Sequence, residues 1–241
     1  MSGHSKWATT KRAKAVVDAK RGAIFTKYGK LISVAARKGG DPTVNFSLRM
    51  AMEKARGANM PKENIERAIK RGTGELGGAQ IEELTYEGFG PAKSQFILKC
   101  LTDNKNRTAA EIRHIFADAG GSLGAVAWNF ELKGVILVTT EELKSQNLLN
   151  DDNFELELID AGAQDFKLEE AGATIYAKPE DLQKVKQFLE AKSLKTESAE
   201  IEYVAKEPMD LSEEDKNKIH KFIEGLDVNE DISDYYTNAN L

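Results

Sequence analysis

Five basic residues recur along one side of a predicted helix in the first third of the chain. On a helical wheel of about 100° per residue with Ile24 at zero, they fall between roughly 220° and 320°. The stripe comprises Lys20, Lys27, Lys30, Arg37 and Lys38. A row of cationic groups beside a buried helix face can follow a phosphate backbone, whereas a solvated helix more often mixes both signs of charge. The pattern therefore predicts phosphate binding.

A basic segment precedes this helix. Residues 1–17 contain four basic side chains and no acidic one before Asp18. Trp7 lies among them and could stack on an unpaired base, which favours RNA, or could anchor the segment on the helices. The full predicted binding set is Lys6, Trp7, Lys11, Arg12, Lys14, Lys20, Arg21, Lys27, Lys30, Arg37 and Lys38.

Charge is distributed very unevenly along the 241 residues. Residues 1–75 hold 17 Lys or Arg and 6 Asp or Glu, a net charge of +11, whereas the whole chain carries −5. The rest of the chain, from Leu76 to Leu241, therefore carries −16. An asymmetry of this size indicates a polyanionic partner for the basic part, against the alternative of a solvated surface that happens to be basic.

Three short helices are predicted to position the basic residues. The first spans residues 18–38 and ends at Gly39-Gly40, and the second ends near Gly57. The third follows Pro61, and Gly72 is its predicted C′ residue. Its i,i+4 spacing predicts the surface ion pairs Glu63–Arg67 and Glu66–Lys70. The predicted buried residues are Ile24, Tyr28, Leu31, Ile32, Ala35, Leu48, Met52, Ala55, Ile65, Ala68 and Ile69.

Beyond a glycine-rich linker at residues 72–78, the pattern changes to α+β. Strands are predicted at 81–87, 94–101 and 125–130, with a helix opened by the capping box Thr108-x-x-Glu111. Residues 134–204 follow the order β-α-β-β-α-β of a ferredoxin-like unit. A last helix and strand at 211–241 cannot bury a core alone, so they are expected to pack on the middle segment.

The predicted fold class is a multidomain α+β protein, with a three-helix domain followed by two α/β (ferredoxin-like) domains, one inserted in the other. Its predicted domains are a basic helical domain at 1–75, a discontinuous domain at 79–131 plus 208–241, and an inserted domain at 132–207.

No pattern in the sequence indicates an enzyme. Residues 72–77 fit G-x-G-x-x-G, but a helix precedes them and a strand follows, which is the reverse of a dinucleotide site. The three histidines are widely spaced and Cys100 is the single cysteine, so metal-ligand spacing is absent. We therefore expect no catalytic residue, metal, cofactor or small-molecule substrate. No apolar run is long enough for a membrane span and no secretory signal is visible, so a cytoplasmic protein is expected.

Several motifs together resemble the YebC family over most of the chain from Met1 to Phe130. They are Gly3-His4-Ser5-Lys6-Trp7, Asp18-Ala19-Lys20-Arg21-Gly22, Asn59-Met60-Pro61-Lys62, Asn64-Ile65-Glu66-Arg67-Ala68-Ile69, Tyr86-Glu87-Gly88 and Leu101-Thr102-Asp103-Asn104. The resemblance implies a helical domain followed by two α/β domains. It also implies a DNA-binding transcriptional regulator, since family members carry that label, although a mitochondrial relative is a translational activator.

The sequence is therefore compatible with two kinds of nucleic-acid partner. Duplex DNA fits the family label, whereas RNA, including ribosomal RNA in a translation factor, fits the basic segment with Trp7 and needs no groove-reading helix. The acidic domains are expected to serve as spacer, clamp wall or surface for a protein partner.

Overall fold

A computed structural model of the chain describes residues 21–77, 80–149 and 151–241, without the side chains of Arg21, Ala23 and Asp152. The chain divides into two compact units. One includes the described residues up to Ala127 together with Met209–Ala239, and the other includes Trp128–Pro208. Within the described residues, no helix combines the length and apolar character needed to cross a bilayer.

The N-terminal region is helical, as predicted. Its helices are α1 (Arg21–Ala36), α2 (Phe46–Gly57) and α3 (Lys62–Gly72). Their apolar faces form one core in which Ile32, Leu48 and Ala55 are completely buried. Asn45 joins two of these helices. Its side chain accepts a hydrogen bond from Leu48 N at the start of α2, and it donates to Ala35 O near the end of α1 and to Gly39 O just beyond it. The buried side-chain amide of Asn45 therefore fixes how the loop after α1 leads into α2.

Gly72 is required by close packing rather than by a left-handed cap. It ends α3 directly against α1, where a Cβ atom would lie 2.2 Å from Ser33 O and 2.7 Å from Ala36 Cβ. Ser33 strengthens the same contact by donating a 2.9 Å hydrogen bond to Ala68 O. The predicted C′ role of Gly72 is therefore wrong, and the residue instead lets two helix backbones approach.

We expect Gly72→Ala to lower the free energy of unfolding by about 1–3 kcal/mol, because the added methyl must displace backbone of α1. Gly57→Ala is the matched control at the end of α2, where a Cβ would meet nothing within 4 Å. That control should be neutral or slightly stabilising. Equal effects of the two substitutions on urea denaturation would contradict the role assigned to Gly72.

The middle sheet contains β1 (Glu82–Phe89), β2 (Gln95–Thr102), β3 (Ser122–Leu123) and, from the end of the chain, β8 (Ile232–Thr237). Its spatial order is β3-β1-β2-β8, and every neighbouring pair is antiparallel. Helices α4 (Lys105–Asp118) and α8 (Glu213–Val228) cover one face. There Phe222 of α8 makes edge-to-face contacts with Phe96 and Phe116, with ring centroids 4.9 and 5.1 Å away.

Two predicted boundaries in this region are wrong. Helix α4 begins one turn before the predicted capping box, because Asn104 is the N-cap and accepts a hydrogen bond from Arg107 N. Thr108 therefore lies inside the helix, where it is buried. The predicted strand at 125–130 is instead a 3₁₀ turn, Ala127–Asn129, that leads into a longer strand.

The second unit has the predicted β-α-β-β-α-β order. Its strands are β4 (Phe130–Thr139), β5 (Ala163–Leu168), β6 (Gly172–Ala177) and β7 (Ser198–Ala205). Its helices are α5 (Thr140–Ser145), α6 (Asp152–Asp160) and α7 (Leu182–Ala191). The strands lie in the order β5-β6-β4-β7 and all pairs are antiparallel, which is the ferredoxin-like arrangement.

The predicted α+β fold class, with a helical region followed by α/β domains, is confirmed. The division into three domains stays a prediction, since the helical region and the middle sheet belong to one compact unit.

Candidate nucleic-acid interface

Helix α1, which carries the predicted basic stripe, packs on strands β2 and β8 of the middle sheet. The contact is held by Lys30, whose Nζ donates hydrogen bonds to Asp231 Oδ1 at 2.6 Å and to Glu230 O at 2.9 Å. The two charged side chains are 15% and 4% exposed. Lys30 is therefore engaged within the fold, and its assignment to a phosphate backbone stays a prediction.

Asp231 is the centre of a buried polar network. Besides Lys30, its carboxylate accepts hydrogen bonds from Arg107 Nη2 at 2.9 Å, Thr108 Oγ1 at 2.7 Å and Thr102 Oγ1 at 3.2 Å. Burial by itself would raise the pKa of Asp231, but the hydrogen bonds from Lys30, Arg107 and Thr108 lower it to about 2. The carboxylate therefore stays ionised and ties α1, α4 and the start of β8 together.

Two further members of the stripe differ in their surroundings. One guanidinium nitrogen of Arg37 donates a hydrogen bond to Ile81 O, just before β1, although the side chain is exposed. Lys38 is exposed beyond the end of α1. Some members of the stripe thus lie where the helices contact the middle sheet, and the members are not equally accessible to solvent.

Lys27 belongs to a cluster that the sequence did not reveal. Its charge acts on Asp234 of β8, together with the charges of Lys54 on α2 and Lys99 on β2. Burial would raise the pKa of Asp234, but the three lysines lower it. All four side chains are partly exposed, so the cluster meets solvent.

The bases of α3 also differ from expectation. The predicted pairs Glu63–Arg67 and Glu66–Lys70 are wrong, because Glu66 lies 3.6 Å from Lys62 instead. Arg67 and Lys70 are exposed, and neither makes an ion pair within the part of the chain that the structure describes. Although the sequence pattern gives these two cations little weight, they are more accessible than Lys30.

The basic segment lies outside the described residues. This applies to Lys6, Trp7, Lys11, Arg12, Lys14 and Lys20, and the side chain of Arg21 is likewise not described. Their assignment as nucleic-acid-binding residues stays a prediction.

Residues capable of other chemistry are not grouped. Across 21–77, 80–149 and 151–241, no three His, Cys, Asp or Glu side chains come together as metal ligands. Burial raises the pKa of the Cys100 thiol to about 12, so this side chain is an unreactive core residue.

Comparison with protein families matches both parts of the chain. The TACO1/YebC N-terminal domain matches residues 5–75, and the TACO1/YebC second and third domain matches residues 81–239. A "probable transcriptional regulatory protein" of Thermoanaerobacter pseudethanolicus is 48% identical over 100% of this chain and 98% of its own length. One of the same name from Caldanaerobacter subterraneus is 47% identical over 100% and 99%.

A solved structure agrees with these matches. The crystal structure of a conserved hypothetical protein from Aquifex aeolicus superposes with a TM-score of 0.80 at 39% sequence identity, covering 92% of this chain and 91% of the other. Sequence and fold therefore agree over nearly the whole length. The chain belongs to the TACO1/YebC family.

Proposed function

We propose that this chain is a nucleic-acid-binding regulator of gene expression and acts without catalysing a reaction. The observation that carries the proposal is the concentration of positive charge, +11, between Met1 and Glu75 of a chain whose remainder carries −16. The names of its relatives, probable transcriptional regulatory proteins, support the same interpretation.

The accessible cations of the helical region support phosphate binding. Lys38, Arg56, Arg67 and Lys70 are exposed, and none forms an ion pair with another described residue. Such side chains can release counterions from a polyanion without first breaking contacts within the protein. Together with the basic segment before α1, they extend the set of bases that would hold a sugar-phosphate backbone.

The ferredoxin-like unit has the opposite electrostatic character. Residues 128–208 hold 9 Lys and 18 Asp or Glu, a net charge of −9. This unit would repel a polyanion and confine it to the helical region. It also exposes Trp128, Leu132 and Ile201, which suits contact with a protein partner rather than with nucleic acid.

Duplex DNA is the first candidate ligand because it fits the names of the relatives. Ribosomal or other RNA is the alternative, in a translation factor, and is favoured by Trp7 within a basic segment. Either ligand would be held mainly through phosphates, because the support for binding is an excess of basic side chains, which contact the backbone of any sequence.

The test is the salt dependence of binding to a duplex DNA and to a structured RNA of equal length. If six to ten phosphates are neutralised, affinity should fall about 10³–10⁵-fold between 50 and 200 mM salt. Replacing Lys38, Arg67 and Lys70 by Glu should weaken binding relative to the unaltered chain. It should also reduce the slope of log affinity against log salt. Fluorescence anisotropy on the full chain measures both quantities.

Reversing three lysines of the acidic unit, Lys144, Lys178 and Lys195, provides a control with the same change in net charge. This variant should bind almost as tightly as the unaltered chain. Failure of the unaltered chain to bind either nucleic acid, even at the low-salt end of the series, would refute the proposed function. Cleavage or modification of bound nucleic acid by the purified chain would contradict the proposal that it catalyses no reaction.

A further inference from the structure

A groove lies between α4 and α8, the two helices that cover one face of the middle sheet. Its volume is about 410 Å³, and its apolar lining consists of Pro91, Ile115, Ala119, Phe222 and Gly225. Pro91 belongs to the 3₁₀ turn Pro91–Lys93 between β1 and β2. Sites for small organic ligands usually enclose roughly 300–1,000 Å³ and are mostly apolar with a few polar groups. The groove therefore has the size and the lining of such a site.

Gly225 keeps this groove open, although the backbone does not require a glycine there. The residue lies inside α8, and its φ is outside the left-handed region. Beyond its own helix, an added Cβ would meet only Ile115 Cγ2, at an ordinary contact distance of 4.0 Å. A glycine inside a helix lowers stability relative to alanine. Its structural effect here is the space facing Ile115, which a long side chain would fill.

The rim of the groove on α8 carries two ammonium groups. Lys218 already pairs with Glu214 at 2.8 Å and with Asp215 at 3.1 Å. Lys221 is exposed, and it makes no ion pair with any residue that the structure describes. The two lysines are three positions apart, so they share one side of the helix. Lys221 is therefore available to an anionic group at the mouth of an apolar groove.

The rim on α4 has the opposite charge. Asp118 lies 3.2 Å from Nδ1 of His114 on its own helix, and it does not pair with Lys221 across the groove. The two helices are joined elsewhere, where Asn229 Nδ2 donates a 2.9 Å hydrogen bond to Glu111 Oε2. A bound anion would be repelled by Asp118 and attracted by Lys221, so it would lie on the α8 side.

Apolar surface continues from the groove along α8. Gly225 and Val228 follow Lys221 at spacings of four and three, which places them on the same side of the helix. The side chain of Val228 is 59% exposed. At 1.5 Å per residue, the distance from Lys221 to Val228 is about 10 Å. This arrangement suits an extended apolar chain with an anionic group at one end.

We propose that the groove binds an amphipathic carboxylate of the medium-chain fatty acid class. The hydrocarbon chain lies against Ile115, Phe222 and Gly225, and its burial supplies most of the binding free energy. Lys221 Nζ donates a charge-assisted hydrogen bond to the carboxylate and thereby orients the ligand. The site is formed by the helices of the middle sheet, and the proposal does not depend on nucleic-acid binding.

The test is isothermal titration calorimetry of the full chain with octanoate and with octanol, its uncharged analogue. Gly225→Leu fills the groove, and Gly57→Leu adds the same side chain at the end of α2, where a Cβ would meet nothing within 4 Å. Lys221→Gln removes the ammonium group at the rim. Lys216→Gln is its matched control, because Lys216 belongs to α8 but pairs with Glu213 outside the groove lining.

The unaltered chain should bind octanoate more tightly than octanol. Gly225→Leu should weaken binding of both ligands by about 10-fold or more, because its side chain occupies the space of the hydrocarbon. Lys221→Gln should weaken octanoate binding by about 3- to 10-fold and leave octanol binding unchanged. Both controls should bind as the unaltered chain does. Gly225→Ala should keep most of the octanoate binding and raise the temperature of thermal unfolding.

Absence of octanoate binding by the unaltered chain would overturn the site. Equal effects of Gly225→Leu and Gly57→Leu would place any bound octanoate elsewhere and overturn it as well. Equal effects of Lys221→Gln and Lys216→Gln would overturn the assignment of the carboxylate to Lys221. If thermal unfolding shows that Gly225→Leu does not fold, the two lysine variants decide the outcome.

Discussion

Asp231→Asn is expected to lower the free energy of unfolding by about 3–5 kcal/mol, because removing one member of a buried ion pair leaves its partners uncompensated. Lys30 is 15% exposed and would lose the carboxylate 2.6 Å away. Arg107 would lose the acceptor at 2.9 Å, and Thr108 would lose the one at 2.7 Å. An amide can accept only some of these hydrogen bonds and carries no charge. Chemical denaturation of the unit that contains residues 80–127 measures the loss.

Asp103→Asn is the control for this prediction. Asp103 lies 3.4 Å from the same Arg107, but its side chain is 43% exposed. A solvent-exposed ion pair is worth about 1 kcal/mol or less, so this substitution should have a small effect. A loss of similar size from both substitutions would show that Arg107, rather than the buried carboxylate, determines stability.

The pH dependence gives an independent test of Asp231. Its pKa is lowered from the ordinary 3.8 to about 2 in the folded chain. Because the folded pKa lies below the unfolded one, this stabilisation is complete above about pH 4 and is lost as the pH falls through 2. The shift corresponds to about 2 kcal/mol. Asp231→Asn should lack this part of the acid sensitivity, so the difference in stability between the two proteins should shrink by about 2 kcal/mol as the pH falls from about 5 to below 2.

The sequence predicts most elements of this fold because their signals are local. Apolar spacing predicts the three N-terminal helices, and the order of strands and helices predicts the ferredoxin-like unit. The errors also arise locally. Asn104, which caps α4, lies one turn before the predicted capping box at Thr108. The predicted strand at 125–130 and the predicted unit from residue 134 are separate, whereas the structure has one continuous strand, Phe130–Thr139.

The candidate interface is harder to predict because the decisive partners are distant in sequence. A helical wheel shows that Lys27 and Lys30 share a side of α1, but not that Asp231, 201 positions after Lys30, will occupy that side. Nor can the wheel show that the charge of Lys27 will act on Asp234 of β8. The net charge of a segment can be counted from the sequence. Whether a given basic side chain binds a residue of the same protein or a ligand depends on tertiary contacts, which the sequence does not show.

The C-terminal segment should be necessary for the middle sheet, although it follows the inserted unit in sequence. Strand β8 pairs with β2 from Phe96 to Cys100, and Leu101 N donates a 2.7 Å hydrogen bond to Asp231 O. Phe222 is 3% exposed and fills the core between Phe96 and Phe116. Deleting this one aromatic side chain would cost about 3–5 kcal/mol, and removing the whole helix and strand costs more than a domain's net stability.

A chain ending at Pro208 is therefore expected to lose the fold of residues 80–127 while residues 128–208 keep theirs. Hydrogen exchange followed by mass spectrometry measures both parts in one sample. Amide protection in β2 should disappear, whereas protection in β6 should match the full-length chain, which is the internal control. A truncated chain that protects β2 and unfolds cooperatively would contradict the predicted discontinuous domain, because the segment before Trp128 would then form a core without α8 and β8.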